Sequence, residues 1–546
     1  MIKYQISSKN PTSQFLNIQV LVHSYFDTTI KVQLPAWRAG RYQLADYAQN
    51  LRKFTVESNG HAVPFSKENK NTWTMSIEAN KEYTISYEYH AAKMDAGSCW
   101  VDEQQIYINF VNCLVEIKGL KPQDLIIEFL QKGYSKRVCT QPLLKNQNYT
   151  VPSFEELADT TLLAAENLTH WTYKVAHQDF QIWIHGEIHF SKSEFITAHK
   201  KFTKRLIEDF GEFPESEYHF IYQILPYKHY HGVEHKRGTV ITFGPWDMLQ
   251  ETEAMEDLIG VACHELYHAW NVCQIRPKEL LPYNFGTEVY TEAGWMLEGI
   301  TTYMGDLYLL KSGVYGFETY LKHFNKILDR ESTVQGMQTS SILESSFDLW
   351  LDGYQAGIPD KKTSIYSHGA LIAFALDLML LAQGSSLPKV MTRAWQKFGM
   401  KRQGYSLNSF WRLFKSKGID AERLDEFYRE YIHGKENIFD FLENTVGLIG
   451  MELNKMDNPD LLTKQLGILS KDNVILKIHP CSPAYQALMI GDELDWAETP
   501  ESIKIKSKRK NGQNHSFDFP KGEQSYYPKI VLHPLEKTAE FDIWTK

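Results

Sequence analysis

At 546 residues the chain is too long for one small binding module and, at roughly 150 residues per domain, suggests about three domains, each able to bury a core. Its 43% hydrophobic and 23% charged content excludes a disordered, collagenous or membrane-embedded chain. A net charge of -9, with only a short basic stretch at 504–510, argues against a nucleic-acid partner.

The start of the chain alternates apolar and polar residues (FLNIQVLVHSY) and has no continuous apolar leader. Strand-like runs recur as far as Asp159, among them TTIKVQLPAW, EYTISYEYHA and LIIEFL, separated by Asn/Gly/Lys turns, which predicts an all-β sandwich over 1–165. Next, QDFQIWIHGEIHF, YHFIYQILP and GTVITFGP read as strands and SEFITAHKKFTKRLIEDFG as an amphipathic helix, a small α/β layer. Beyond Glu251 the period becomes helical as far as about Gly450, closing a domain over 166–450, and the final residues, 451–546, return to short strands. The whole is a multidomain α+β chain. Segment 369–384 is its most apolar stretch, but Asp377 interrupts it and it is shorter than the roughly 20 residues of a membrane span. A buried helix, no membrane association and a cytoplasmic location are expected. Six cysteines without a CxxC pair fit free thiols in a reducing compartment.

The sharpest chemical feature is His264-Glu265-Leu266-Tyr267-His268, within a segment where Leu258, Ile259, Ala262, Leu266 and Ala269 recur at helical spacing. Two histidines one turn apart can hold one Zn²⁺, with Glu265 placed to take a proton from water in the metal's open position. A carboxylate from a neighbouring helix completes a His₂Glu set. Glu298, in WMLEGITTY, opens an apolar helical run and is favoured over Glu288 and Glu292, which lie in a Tyr/Gly/Thr-rich stretch.

At these residues the sequence resembles the glycyl aminopeptidase family of zinc metallopeptidases, a PDZ-containing group related to the gluzincin aminopeptidases. HELYHAWNVCQIRPKEL is similar to its HExxHxWN block, WMLEGITTY to its Trp-x-x-Glu-Gly-x-Thr-x-Tyr block, LPAWRAGRYQLADYAQN to its N-terminal signature and HGVEH to its Gly-x-Glu-His element. The resemblance implies a thermolysin-like α/β plus helical catalytic domain. It makes His264, His268 and Glu298 zinc ligands, and Glu265 the general base. It further implies that Glu234, read as lying on a sheet-edge loop, holds the substrate's free ammonium. Tyr366, in IYSHGA, resembles the element that supplies an oxyanion donor, although His368 stands where Lys is usual.

The C-terminal KQLGILSKDNVILKIHPCSPAYQALMIGDEL resembles a PDZ domain, which captures peptides as an added strand. In that segment the usual Ala-Gly-Leu is shortened, and the N-terminal signature departs at Ala39, Arg41 and Ala45. The expected activity is removal of small N-terminal residues from peptides with a free N-terminus. The alternatives are a zinc endopeptidase and a non-catalytic peptide-binding scaffold. Arg276 could contact a substrate carboxylate or pair with an acidic side chain near the metal helix, with the structural role favoured; Trp270, Trp295, Tyr303 and Cys263 are read as structural.

Overall fold

The computed structural model describes residues 2–121, 123–131, 133–143, 148–352, 358–415 and 420–546. The N-terminal region is β-rich. Its largest sheet has seven strands and is built around the pairing of Phe15–Ser24 with Lys81–His90 over ten residues. Alternation sets the faces: Leu16, Ile18, Val20 and Val22 all point into the core. Two four-stranded sheets complete the layer.

The second region opens with a five-stranded sheet in the order Leu168–Val175, Gln178–His185, Glu217–Ile224, Gly238–Gly244, His229–His235. The last of these is an antiparallel edge strand. Helix Lys192–Phe210 covers one face with Phe195, His199, Phe202, Leu206 and Phe210, one apolar stripe at helical spacing. Ser191 caps its N-terminus by accepting from the Glu194 N–H, and Gly211, at φ 89°, ends it in the left-handed conformation.

Helix Thr252–Tyr267 lies against the sheet and against helix Ile300–Lys311. The two helices come close at Gly305, where a β-carbon would sit 3.2 Å from the His264 Cα. The apolar stretch at 369–384 forms helix Ser367–Leu381, buried along its whole length. Among the described residues no helix is long and apolar enough to cross a membrane.

Two kinds of contact bind the N-terminal region to the second. Trp37 leaves its own sheets to join the second region's core and donates from Nε1 to the Asn284 carbonyl at 2.8 Å. Charged pairs cross the same boundary: Arg276 with Glu155 at 2.6 Å and Arg237 with Glu156 at 2.8 Å.

At the C-terminal end, residues from Leu462 to Phe519 build a separate small core under a five-stranded antiparallel sheet. The segments flanking it do not belong to that core. Strands Met451–Met456 and Lys529–Pro534 pair with each other, and Met451, Leu453, Ile530, Leu532, Phe541 and Trp544 pack into the second region's core. After Phe519 the chain thus returns to the second region's core.

Candidate functional site

His264 sits in the last turn of helix Thr252–Tyr267, and His268 is its C-cap. One turn apart, they bring their Nε2 atoms to 3.1 Å. Glu298 enters from the next segment, with Oε2 3.5 Å from His268 Nε2 and 3.8 Å from His264 Nε2. Its residue stands on a single π-helical turn, Trp295–Gly299, that runs directly into helix Ile300–Lys311. Of the competing carboxylates, Glu292 is exposed and neither it nor Glu288 joins this cluster.

Asn271 explains how the π-turn is held. Its Nδ2 donates to the Met296 carbonyl at 2.9 Å and the Leu297 carbonyl at 3.2 Å, and reaches Thr301 Oγ1 at 3.0 Å. Its own carbonyl accepts from His268 Nδ1 at 3.2 Å, which turns Nε2 towards the cluster. Asn271 thus ties together the two segments that carry His268 and Glu298. Asn271 lies within HELYHAWNV, and its signal in the sequence is a polar side chain three residues past the second histidine, amid Ala, Trp and Val.

Glu265 and Glu234 lie beside the cluster, and both are buried. Their ligand-type oxygens fall within 4.8 Å of each other and of His268 nitrogen. Glu234 belongs to edge strand His229–His235 rather than to a loop, because its segment pairs residue by residue with Gly238–Gly244. Two glycines make room for these carboxylates. A β-carbon at Gly232 would lie 2.2 Å from Glu265 Oε1, and one at Gly40 (φ +72°) would lie 2.3 Å from Glu234 Oε2. The N-terminal signature therefore reaches the site, Gly40 against Glu234, with Arg38 on the wall of the same cavity. The departures at Ala39 and Arg41 leave that contact in place.

The electrostatics favour a cation. Oε2 of Glu265 and Oε1 of Glu234 have no hydrogen-bond partner among the described residues. Burial, together with the Glu234 and Glu298 carboxylates, pushes the Glu265 carboxyl up to about 8. Burial alone would lower His268, but the Glu298 carboxylate lifts it to about 10; desolvation and the neighbouring His268 hold the half-buried His264 well below its ordinary value. Two imidazoles and a carboxylate converging in a buried, electron-rich pocket suit a divalent metal of zinc type, with Glu265 left uncoordinated at its side.

A cavity of about 850 Å³ opens over this cluster and is also lined by Tyr366. Tyr366 caps the start of helix Ser367–Leu381. The adjoining residues are fixed by Glu331, fully buried, which accepts from Ser367 Oγ at 2.9 Å and pairs with His368 Nδ1 at 3.0 Å. His368 therefore faces a buried carboxylate instead of the cleft. Arg276 is committed elsewhere too: it donates to Glu155 and to the carbonyls of Val272, Cys273 and Leu280, and stacks 4.0 Å over Tyr283. Trp270 stacks on Phe210 in the core.

No curated protein matches the sequence. An aminopeptidase N family protein from Idiomarina loihiensis shares the fold over 100% of both chains, with a TM-score of 0.91 at 22% identity. An M1 zinc metallopeptidase from Deinococcus radiodurans is similar over 80% of this chain and 94% of its own, with a TM-score of 0.50 at 14% identity. Residues 3–166 match the peptidase M61 N-terminal domain and residues 257–372 match M61 glycyl aminopeptidase, together slightly more than half of the sequence. The second match contains both histidines, Glu265, Glu298 and Tyr366, and the first contains the loop that presses on Glu234. The chain thus belongs to the M61 glycyl aminopeptidase family of metallopeptidases.

Proposed function

We propose that the protein is a zinc-dependent aminopeptidase that removes small residues such as Gly or Ala from the free N-terminus of peptides. The observation that carries this reading is the convergence of His264, His268 and Glu298 at 3.1–3.8 Å beside the unpartnered carboxylates of Glu265 and Glu234. His264, His268 and Glu298 would hold the metal. When bound, it supplies a Lewis acid that polarises the scissile carbonyl and acidifies the attacking water.

The chain's own residues do the rest. Glu234 accepts the substrate ammonium and so fixes the distance from the N-terminus to the bond that is cut. Glu265 takes the water proton as oxygen adds to the carbonyl carbon, and returns it to the departing amine as the C–N bond breaks. Tyr366 donates its phenol O–H to the oxygen that gains negative charge. Membership of a glycyl aminopeptidase family is what supports the preference for Gly and Ala.

We assign three domains: the β-rich N-terminal domain, the catalytic domain, and a PDZ-like module whose own core spans Leu462 to Phe519. The module is suited to an extended peptide ligand at its sheet edge. The test is hydrolysis of free and N-acetylated Gly-, Ala- and Leu-amides by zinc-loaded protein, with Glu265→Gln as control. Cleavage of the free amides only, lost in the variant, is expected. Equal cleavage of acetylated substrates would point to an endopeptidase, and cleavage of neither set to a peptide-binding scaffold.

A further inference from the structure

The cavity over the His264–His268–Glu298 cluster has Arg38, Gly40, Asp95 and Glu234 in its walls, with Gly40 abutting Glu234, and also Asp306, Lys326 and Arg330. Its volume, about 850 Å³, is that of a pocket enclosing a whole small ligand rather than one side chain.

The charges of Asp306, Lys326 and Arg330 differ in how far they are already satisfied. Lys326 is paired, 2.8 Å from Glu253 and 3.9 Å from Asp257. Burial and the neighbouring Asp257 push the Asp306 carboxyl up to about 7, which reduces its negative charge near neutrality. Arg330 is exposed, and its guanidinium has no hydrogen bond or ion pair among the described residues.

Arg330 is nonetheless well placed. It lies in the last turn of helix Phe317–Ser332. The next residue, Glu331, is the buried carboxylate that grips Ser367 and His368, immediately after Tyr366. The backbone of Arg330 is therefore anchored beside the segment that carries Tyr366, while Gly40 abuts Glu234 elsewhere on the cavity wall. A peptide with its ammonium on Glu234 and its first carbonyl over the metal cluster continues towards Arg330.

On the aminopeptidase reading above, we propose that Arg330 receives the C-terminal carboxylate of short peptides, so that the enzyme selects small peptides with a free carboxyl end over amidated or long ones. A guanidinium accepts a carboxylate through charge-assisted, bidentate hydrogen bonds, and an anchor made equally in ground and transition states acts mainly on KM.

The experiment compares kcat/KM for Ala₂, Ala₃ and Ala₄ as free acids and as C-terminal amides, with the zinc-loaded full chain and its R330A, R330K and R330E variants. At the best-fitting length the acid is expected to exceed the amide by about tenfold or more, mostly through KM. The acid-to-amide ratio should fall to about one in R330A, recover partly in R330K and drop below one in R330E. A wild-type ratio near one at every length, or a ratio untouched by R330A and R330E, overturns the proposal while leaving the aminopeptidase intact. Cleavage of no peptide sinks the peptidase reading, and this proposal with it.

Discussion

Gly299 offers the most direct test of how the site is assembled. It follows Glu298 on the π-turn and meets helix Ser367–Leu381 at Gly369. A β-carbon on Gly299 would lie 2.5 Å from both the Cα and the carbonyl carbon of Gly369, and 2.8 Å from the Ile365 carbonyl oxygen. Carbon atoms in ordinary contact sit about 3.5–4.0 Å apart, so Gly299→Ala must separate the two segments by roughly 1 Å. The neighbours are backbone atoms and cannot rotate aside. Overpacking of this kind costs about 1–3 kcal/mol of stability. The displacement acts directly on Glu298 and, through Gly369, on Tyr366 three residues earlier. A misplacement of about 1 Å at a reacting centre lowers rates by about 10²-fold. Urea unfolding, metal affinity by chelator competition and kcat/KM on an alanine amide should all fall together. Gly447→Ala, where a β-carbon meets nothing within 4 Å, is the control for a generic loss of glycine and should move none of them appreciably. Wild-type metal affinity and kcat/KM in Gly299→Ala would refute the view that this helix contact sets the ligand geometry.

Two further outcomes follow from buried polar groups. Asn271→Ala leaves the Met296 and Leu297 carbonyls without their donor, and should weaken metal binding by about 10–100-fold in chelator competition; unchanged affinity would deny Asn271 its clamping role. His199 is fully buried, donates from Nδ1 to the Phe195 carbonyl and accepts from Tyr222 Oη at Nε2, and burial lowers it to about 4. The unfolded chain takes up this proton below about 6.5 whereas the folded one does not, so stability is complete above that pH and declines as pH falls towards 4. The full effect is about 3 kcal/mol, read as the difference in pH dependence of urea stability between wild type and His199→Gln; parallel curves would contradict it.

The legible parts of this protein are those in which one residue's neighbours in sequence are also its neighbours in space. The histidine pair could be read because helical spacing alone puts His264 and His268 on one face, and the strand Phe15–Ser24 because alternation alone decides its buried side. The edge strand carrying Glu234 looked like a loop because His229, Tyr230, His231 and Gly232 lack strand character in isolation; pairing with Gly238–Gly244 supplies it. Gly40 and Arg38 were less readable still. Their work depends on Trp37 docking into a core most of whose other members lie more than a hundred residues away, and no local pattern announces that contact.

Long-range docking of this kind recurs on the far side of the site. Helix Ala539–Thr545 lies beyond the small C-terminal core, yet Trp544 is buried in the core of the second region and donates from Nε1 to Tyr303 Oη at 2.9 Å. Tyr303 in turn donates to Asp377 Oδ2 at 2.6 Å, and Asp377 Oδ1 accepts from the Leu387 N–H at 2.6 Å. Tyr303 belongs to the helix that continues the π-turn of Glu298, and Asp377 to the helix that begins after Tyr366. The same two helices that meet at Gly299 and Gly369 are therefore pinned a second time, further along their length, through the last residues of the chain. Two contact points fix both the separation and the relative rotation of a helix pair, where one would fix only the separation. Glu298 and Tyr366 are thus held in register by helix Ala539–Thr545, while Gly40 of the N-terminal region abuts Glu234.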